Sequence, residues 1–200
     1  MKNYNENERE TIELFEFAEL TEDVQNGIIE ENRYINVDNV YWFDNLQDDF
    51  HKMLELLGFS DIQSNFSGFC NPGGGASFTA VWYSEHIVNN PEKWQSIKDF
   101  EYFKPFIDKL VKFDGETKIE RYTGYYVHER TCFVDVEYVE NGENGELESV
   151  LEELSLDCCN KYYHNLWAEY DYLMSDEAVK DYLLNDDYFK YTKHGESVIR

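Results

Sequence analysis

The sequence predicts an α+β fold, in which an antiparallel β-sheet carries helices packed on one face and a long helix lies near the C-terminus. Segments of alternating apolar and polar residues come in adjacent pairs, which is typical of β-hairpins. Other segments repeat apolar residues every three or four positions, as amphipathic helices do. The 200 residues are 42% hydrophobic and 17% aromatic, enough for one core. We therefore expect a single domain over residues 1–200, with a mobile N-terminus at residues 1–9.

Two helices are expected before the main strands, after a short strand-like segment around Phe15. Thr21 is a candidate N-cap for a helix over 22–32, because acids follow it in the first turn, where the helix dipole favours them. Asp38 is expected to cap a second helix over 39–57, which Gly58 would end. The apolar stripe of that helix predicts core packing by Tyr41, Trp42, Leu46, Phe50, Met53, Leu54 and Leu57.

The first hairpin is expected from Phe59–Phe66 and Ala76–Tyr83, joined by a long glycine-rich connection. A helix over 92–112 should follow, with Asn90 as N-cap and Pro91 at the first helical position. Proline inside a helix removes a backbone donor, so we expect Pro105 to divide this helix into two pieces.

A second hairpin is expected from Lys118–Tyr126 and Thr131–Val139. A polar, glycine-containing break at 141–145 then precedes the longest helix, over about 146–173. Ser175 should cap a short helix ending near Asn185. The last segments, Tyr188–Tyr191 and Ser197–Ile199, predict a small terminal hairpin.

The charge is strongly negative, with 42 Asp and Glu against 17 Lys and Arg, a net of −25. Residues 1–60 carry −11, residues 61–140 carry −5 and residues 141–200 carry −9, so the two flanks carry most of the charge. Such a field repels nucleic acids and anionic membranes and attracts basic surfaces. Direct binding to DNA or RNA is therefore not expected. High negative charge also keeps proteins soluble, which is the alternative explanation.

The four cysteines, Cys70, Cys132, Cys158 and Cys159, show no C-x-x-C spacing. The N-terminus does not look like a signal peptide, and no apolar run is as long as a membrane span. These features predict a reduced, cytoplasmic protein with thiols in its core and no membrane partner.

The glycine-rich stretch between the first two strands is the strongest candidate site. A phosphate-binding loop would need a helix directly after it and a nearby lysine, and here a strand follows without one. A hairpin connection whose glycines adopt positive φ is one interpretation. The other is a ligand or partner contact, through aromatic stacking and backbone or hydroxyl hydrogen bonds. Its residues would be Phe66, Ser67, Gly68, Phe69, Gly73, Gly74, Gly75, Ser77 and Phe78.

The histidines and cysteines give no complete catalytic set. His51, His86, His128, His164 and His194 share no metal-ligand spacing, so neither a metal site nor a cofactor is expected. His128 could act as a general base, but a turn histidine without a chemical role is the simpler interpretation. The sole feature that suggests Cys70 as a nucleophile is its position in the loop. We therefore expect no enzyme. On the second hairpin, Arg121, Tyr125, His128 and Arg130 are added as candidate ligand or partner contacts, with Lys118 nearby.

Phe66 to Phe69, then Gly73 to Phe78, resemble a motif of acidic proteins of bacteriophages and mobile elements: Phe-Ser-Gly-Phe, a short polar gap, and Gly-Asp-Gly-Ala-Ser-Phe. Gly74 stands where that family often has Asp, so any chemistry of the Asp would be absent here. The resemblance spans about residues 19 to 192. Its other segments are Glu19–Asp23, Tyr41-Trp42, Leu57–Phe59, Gly124–Glu129, Glu169–Leu173 and Ser175–Ala178.

The resemblance implies a phage-type context, although family members are mostly uncharacterised and are sometimes labelled antitoxins of toxin–antitoxin systems. By analogy, small acidic phage proteins commonly inhibit host defence or host enzymes, and some mimic the charge of DNA. The leading hypothesis is therefore an inhibitor in the host cytoplasm that binds a host protein with a basic surface. The alternative is a protein that sequesters a small signalling nucleotide in the glycine and aromatic loop. A homodimer stays open.

Overall fold

The structure is a computed structural model, and it describes residues 13–38, 41–69, 74–89, 95–97, 100–121, 127–135, 144–186 and 188–199. Contacts divide the chain into two compact units. Phe43–Glu169 is called the sheet unit, and Met1–Trp42 together with Tyr170–Arg200 is called the terminal unit. The expectation of a single domain stays a prediction.

The described helices and strands follow the order expected from the sequence, with one addition, a short helix at Ser84–Val88 that was not predicted. The helices are α1 (Glu22–Glu31), α2 (Asp44–Leu56), α3 (Ser84–Val88), α4 (Phe100–Leu110), α5 (Asn144–Leu173) and α6 (Asp176–Asn185). The strands are β1 (Phe59–Ser67), β2 (Gly75–Tyr83), β3 (Glu116–Arg121), β4 (Cys132–Asp135), β5 (Phe189–Tyr191) and β6 (Ser197–Ile199). The predicted α+β fold, with an antiparallel sheet and a long C-terminal helix, is confirmed.

The sheet unit contains four described antiparallel strands in the order β1-β2-β3-β4. Phe78, Ala80 and Trp82 of β2 are buried, as the predicted alternation requires. Phe50 of α2 packs edge-on against Phe78, with ring centroids 5.8 Å apart, and it also stacks on Tyr162 of α5. Helices α2 and α5 therefore cover the face of the sheet that carries Phe78.

An irregularity interrupts the edge strand β1. Its pairing with β2 shifts register between Ser60 and Gln63, and Asp61 there has a φ of 53°. A non-glycine residue in this conformation is uncommon and is typical of a bulge or a tight turn. Along the strand the alternation is kept, and Ile62, Ser64 and Phe66 share the partly buried side.

Gly58, between α2 and β1, requires the absence of a side chain. Its φ is +94°, and a Cβ there would lie 2.9 Å from Cγ1 of Ile87 and 3.0 Å from Nε1 of Trp82. The same indole nitrogen donates a hydrogen bond to the carbonyl of Leu57 (3.2 Å). Gly58 thus ends α2 as predicted and lets the turn pack directly on β2.

Two helix predictions are wrong. Helix α2 begins at Asp44 and not near residue 39, and Tyr41, expected in the core, lies in a turn with 68% of its surface exposed. Pro105 does not divide its helix, because α4 continues from Phe100 to Leu110 through it. Burial of four apolar side chains of α4 offsets the backbone donor that proline removes: Phe103, Phe106, Ile107 and Leu110. Asn90 and Pro91 lie outside the described residues.

The terminal unit has its own small core. Phe15 forms an isolated antiparallel bridge with Tyr191, and Phe17–Glu19 form a 3-10 turn, where the sequence suggested a short strand. Ser175 accepts a hydrogen bond from the backbone N–H of Ala178 (3.2 Å), so its predicted capping of α6 is confirmed. The buried core residues of this unit are Phe17, Leu20, Ile28, Ile29, Val179, Leu183 and Tyr191.

Arg33 joins α1 to the turn between α5 and α6. Its guanidinium donates to the carbonyl of Met174 (2.9 Å) and pairs with the carboxylates of Asp176 and Glu30. The hydrogen bond to Asp176 raises the pKa of Arg33. Asn36 adds a hydrogen bond from its side chain to the carbonyl of Leu173 (3.0 Å). Within the described residues, no helix has the length and apolar character needed to cross a membrane.

Candidate functional site

The glycine connection closes on itself where the structure describes it. Ser67 pairs with Gly75 at the end of the β1–β2 ladder. A Cβ at Gly74 would lie 2.1 Å from the carbonyl oxygen of Gly68 and 2.5 Å from the hydroxyl of Tyr163. Non-bonded contacts of a Cβ atom are essentially never this short, so only glycine fits this backbone. The predicted positive φ is found at Gly68 (34°) but not at Gly74 or Gly75, where glycine is needed for close approach.

Aromatic side chains attach this connection to α5. The hydroxyl of Tyr163 donates to the carbonyl of Gly68 (2.5 Å), and its ring stacks with Phe69 at 5.6 Å between centroids. The ring centroid of Phe69 also lies 6.4 Å from that of Trp167 and 5.8 Å from that of Phe66. Phe66 and Phe69, predicted as stacking surfaces for a ligand, therefore stack with the protein's own rings. This group of Phe66, Phe69, Tyr163 and Trp167 is called the aromatic cluster.

The segment around His128 lies against the start of β2. A Cβ at Gly75 would lie 3.0 Å from Cα of His128, and the Ser67 hydroxyl donates to the carbonyl of Val127 (3.0 Å). Nδ1 of His128 is 2.8 Å from Oε2 of Glu129 and 3.3 Å from the backbone N of Arg130. In the longer contact, the backbone N–H of Arg130 donates to Nδ1 of His128. The structure thus brings the predicted glycine residues and His128 together.

Other predicted site residues are buried. Ser77 and Phe78 are completely buried, and Phe78 packs against Phe50 and Phe59, so it presents no face to a ligand. Nη1 of Arg121 is 3.5 Å from the hydroxyl of Ser77, at the limit of a hydrogen bond. Arg130 is exposed. Gly73 and Tyr125, also predicted, lie outside the described residues, as does Cys70.

A pair of thiols lies next to this region. Cys132, which pairs with Arg121 across β3 and β4, has its Sγ 3.9 Å from Sγ of Cys159 on α5. Cys132 is partly exposed, whereas Cys158 and Cys159 are fully buried. The hydrogen bond between the two thiols lowers the pKa of Cys132 and raises that of Cys159. The sequence predicted core thiols but not this pairing.

A separate cleft lies in the terminal unit. Its volume is about 600 Å³, and we call it the tyrosine cleft. Three of its tyrosines are well exposed: Tyr188 (73%), Tyr172 (52%) and Tyr182 (40%). Burial and a hydrogen bond to Asp186 raise the pKa of Tyr182. The remaining lining residues are Asn36, Leu173, Ala178, Asp181, Asn185 and Asp186. None of these residues was predicted from the sequence to belong to a binding site.

A second cavity, of about 620 Å³, lies between α2 and α5 in the sheet unit. It includes two lysines, the groups that an anionic ligand would need. Nζ of Lys52 is 3.7 Å from Asp49, and Nζ of Lys161 lies over the rings of Tyr102 (5.6 Å) and Phe103 (5.3 Å). Both lysines thus already have partners. The predicted nucleotide-sequestering site in the glycine loop gains no support from this cavity, because its lysines lie outside the loop.

Acidic side chains dominate the exposed surface of α5 near its start. Glu146, Glu148, Glu152 and Glu153 are all exposed, and the first basic residue of the helix is Lys161. Like charges four residues apart on a helix repel each other by a few tenths of a kcal/mol, so Glu148 and Glu152 do not stabilise α5. Within the described ranges, no group of three or more His, Cys, Asp and Glu side chains could hold a metal ion.

Comparisons with known proteins give one match. The chain matches neither a curated protein nor a solved structure. A family model described as a domain of unknown function, DUF8835, matches residues 42–176. The match covers the whole glycine connection, His128 and both cysteines of the thiol pair, and it ends before most of the tyrosine cleft. Because it covers more than half of the chain, the protein belongs to the DUF8835 family.

Proposed function

We propose that this protein is a phage-type acidic inhibitor, which acts in the host cytoplasm by binding a basic surface of a defence or nucleic-acid-handling protein. The observation that carries the proposal is the tyrosine cleft, where three exposed aromatic rings and two aspartates line one concavity. Aromatic rings and carboxylates together are the groups that attract guanidinium and ammonium ions. The cleft is therefore suited to an arginine or lysine side chain of a partner.

Tyrosine is well adapted to this role, since it buries a large apolar surface and loses little conformational entropy. Tyrosine and arginine are also enriched among the few residues that dominate binding energies at protein interfaces. Leu173 and Ala178 give the cleft an apolar floor, against which the methylene stem of a basic side chain could pack.

The charge of the chain supports the same partner. The sheet unit has 24 acids and 10 bases, and the terminal unit has 18 acids and 7 bases, so both are strongly negative. A field of this sign speeds encounter with a basic surface and disfavours nucleic acid. A host protein that binds DNA through the same basic surface would then be blocked from its substrate, whether or not the acids follow the spacing of phosphates.

The test is competition for DNA-binding proteins of the host. Host lysate proteins are loaded on immobilised duplex DNA at low salt and eluted with the purified protein. Elution with polyglutamate of equal charge is the control for a non-specific polyanion. We expect selective elution of a small set of proteins, and its loss at about 0.5 M salt, where exposed charge pairs are strongly screened.

Variants connect the result to the cleft. Tyr172→Ala combined with Tyr188→Ala should reduce elution by about tenfold or more, because each truncation of an interface hot spot costs at least 2 kcal/mol. Tyr34→Ala, at an exposed tyrosine that does not line the cleft, is the matched control and should elute like the unmodified protein. Elution no better than that by polyglutamate, or equal elution by both variants, would refute the proposal.

A further inference from the structure

Two cysteines from different elements meet in the sheet unit. Cys132 is the first residue of β4 and Cys159 lies on α5, and their sulfur atoms are 3.9 Å apart. That is van der Waals contact between thiols, compared with about 2.05 Å in a disulfide bond. Nothing in the glycine connection or the tyrosine cleft uses this pair.

One of the two cysteines is partly exposed and lines a cleft. Cys132 lines a small cleft of about 220 Å³ together with Glu129, Arg130, Glu152 and Ser155. The Ser155 hydroxyl is buried and has no hydrogen-bond partner among the described groups. A buried polar group without a partner costs free energy, so this hydroxyl is available to a small polar molecule in the cleft. Cys159 is fully buried behind Cys132.

The two thiols have different surroundings, and these indicate which of them reacts first with an oxidant. The hydrogen bond with the Cys159 thiol lowers the pKa of Cys132 against the opposing effect of burial, and the Arg121 guanidinium adds to the lowering. Its partner Cys132 and burial raise the pKa of Cys159. The thiolate is the nucleophilic form, so Cys132 reacts first and Cys159 second.

We propose that Cys132 and Cys159 form a redox modification site that takes a small hydroperoxide as its oxidant. The Cys132 thiolate attacks the terminal oxygen of the hydroperoxide and breaks the O–O bond. Cys132 becomes a sulfenic acid, and the leaving alkoxide or hydroxide takes up one proton and departs as alcohol or water. The sulfur of Cys159 then displaces the hydroxyl group from Cys132, giving a disulfide and one molecule of water.

The hydroperoxide alone accepts the two electrons that the thiols lose. Its O–O bond is reduced, and the two thiols are oxidised together to one disulfide. An external dithiol reverses the change by thiol–disulfide exchange. The product would link β4 covalently to α5 inside the sheet unit.

The chain offers a matched control in Cys158. It neighbours Cys159, is equally buried and has its pKa raised mainly by burial, but no thiol of the described residues pairs with it. The full-length protein is reduced, freed of reductant, treated with one equivalent of hydrogen peroxide and alkylated. We expect loss of two alkylation sites, Cys132 and Cys159, in the unmodified protein and in Cys158→Ser, and recovery of both with dithiothreitol.

Peptide mapping must separate the cysteines. No Lys or Arg lies between Thr131 and Asn160, so trypsin leaves all three cysteines on one peptide. A protease specific for glutamate separates Cys132 from the other two. In Cys159→Ala, dimedone should trap a sulfenic acid on Cys132, and in Cys132→Ser, the alkylation of Cys159 should survive the peroxide.

Three results would overturn the proposal. They are free thiols at Cys132 and Cys159 after treatment, a disulfide that uses Cys158 or Cys70 instead, and reaction of Cys132 no faster than that of Cys158. Circular dichroism confirms that each variant is folded. If Cys159→Ala is not folded, the comparison of the unmodified protein with Cys158→Ser still decides the outcome.

Discussion

Phe50 on α2 and Tyr162 on α5 stack face to face, with ring centroids 4.2 Å apart and an interplanar angle of 1°. Both rings are buried, at 5% and 2% exposure. The pair is the contact through which the second helix and the long helix meet above the sheet, and Phe78 of β2 lies edge-on to it. We expect this contact to dominate the stability of the sheet unit.

Replacing Phe50 with Ala should lower the free energy of unfolding by about 3–5 kcal/mol, because it removes a buried ring and leaves a cavity. Phe50→Leu keeps most of the volume and should cost less. Val88→Ala, at an exposed position, is the control and should change stability by no more than about 0.5 kcal/mol. Urea unfolding followed by circular dichroism measures all three, and a small loss in Phe50→Ala would show that α2 is held elsewhere.

Tyr163→Phe should lower stability by about 1 kcal/mol, because it removes the hydrogen bond to the carbonyl of Gly68 and keeps the ring in the aromatic cluster. Tyr163→Ala should cost more, since the stacking with Phe69 is lost as well. The control is Tyr34→Phe, at a tyrosine that is 56% exposed. Equal thermal unfolding of Tyr163→Phe and the unmodified protein would mean that the hydroxyl does not hold the loop.

Gly74→Asp should destabilise the protein and alter the glycine connection, because its Cβ would meet the Gly68 carbonyl oxygen at 2.1 Å. The test also bears on the resemblance to phage proteins that carry Asp at this place. Gly145→Ala is the control, since a Cβ there meets nothing within 4 Å, and alanine favours the helix. A Gly74→Asp protein as stable as the parent would mean that the loop readily takes another backbone path.

Stability should fall as the pH is lowered through the range below about 6.5, in part because of His51. Burial lowers the pKa of His51, against the influence of Asp48 and Glu55, so the unfolded chain takes up its proton at a higher pH than the folded chain. The contribution of neutral His51 is fully present above the unfolded pKa and is lost as the pH falls towards the folded one.

His51→Gln can keep a hydrogen bond to the Ser64 hydroxyl, which Nε2 of His51 now contacts at 2.8 Å, without titrating. Its melting temperature should therefore fall less than that of the parent between pH 7.5 and 5.5. His194→Asn, at an exposed position, should follow the parent. Identical slopes for His51→Gln and the parent would remove His51 from the acid sensitivity.

Local sequence patterns predicted most of the helices and strands, because hydrophobic periodicity and helix capping depend on residues that are close together in the chain. Ser175 begins α6 and Gly58 ends α2, as expected. The alternation in β2 correctly indicates that Phe78, Ala80 and Trp82 are buried. The predicted break at Pro105 is wrong because the burial of its neighbours, a tertiary effect, outweighs the local penalty.

The candidate sites were harder to predict, because they depend on contacts between distant residues. Cys132 and Cys159 are 27 positions apart, and only the packing of β4 on α5 brings them together. Tyr172 lies in a segment of the resemblance and Tyr188 in a predicted strand, but neither position was predicted to bind a partner. Their cleft forms where the end of α5, helix α6 and the residues after α6 come together. Charge and the resemblance pointed to a basic partner, but neither indicated a surface.

The irregularity at Asp61 bears on how copies of the chain behave at high concentration. β1 is an edge of the four described strands, and an edge strand offers unpaired backbone groups to another sheet. The register shift breaks the regular spacing of those groups, and the exposed carboxylate of Asp61 would face the same charge on an approaching copy. Extension of the sheet through β1 into fibrils or strand-paired dimers is therefore disfavoured, and a homodimer would have to form through another surface.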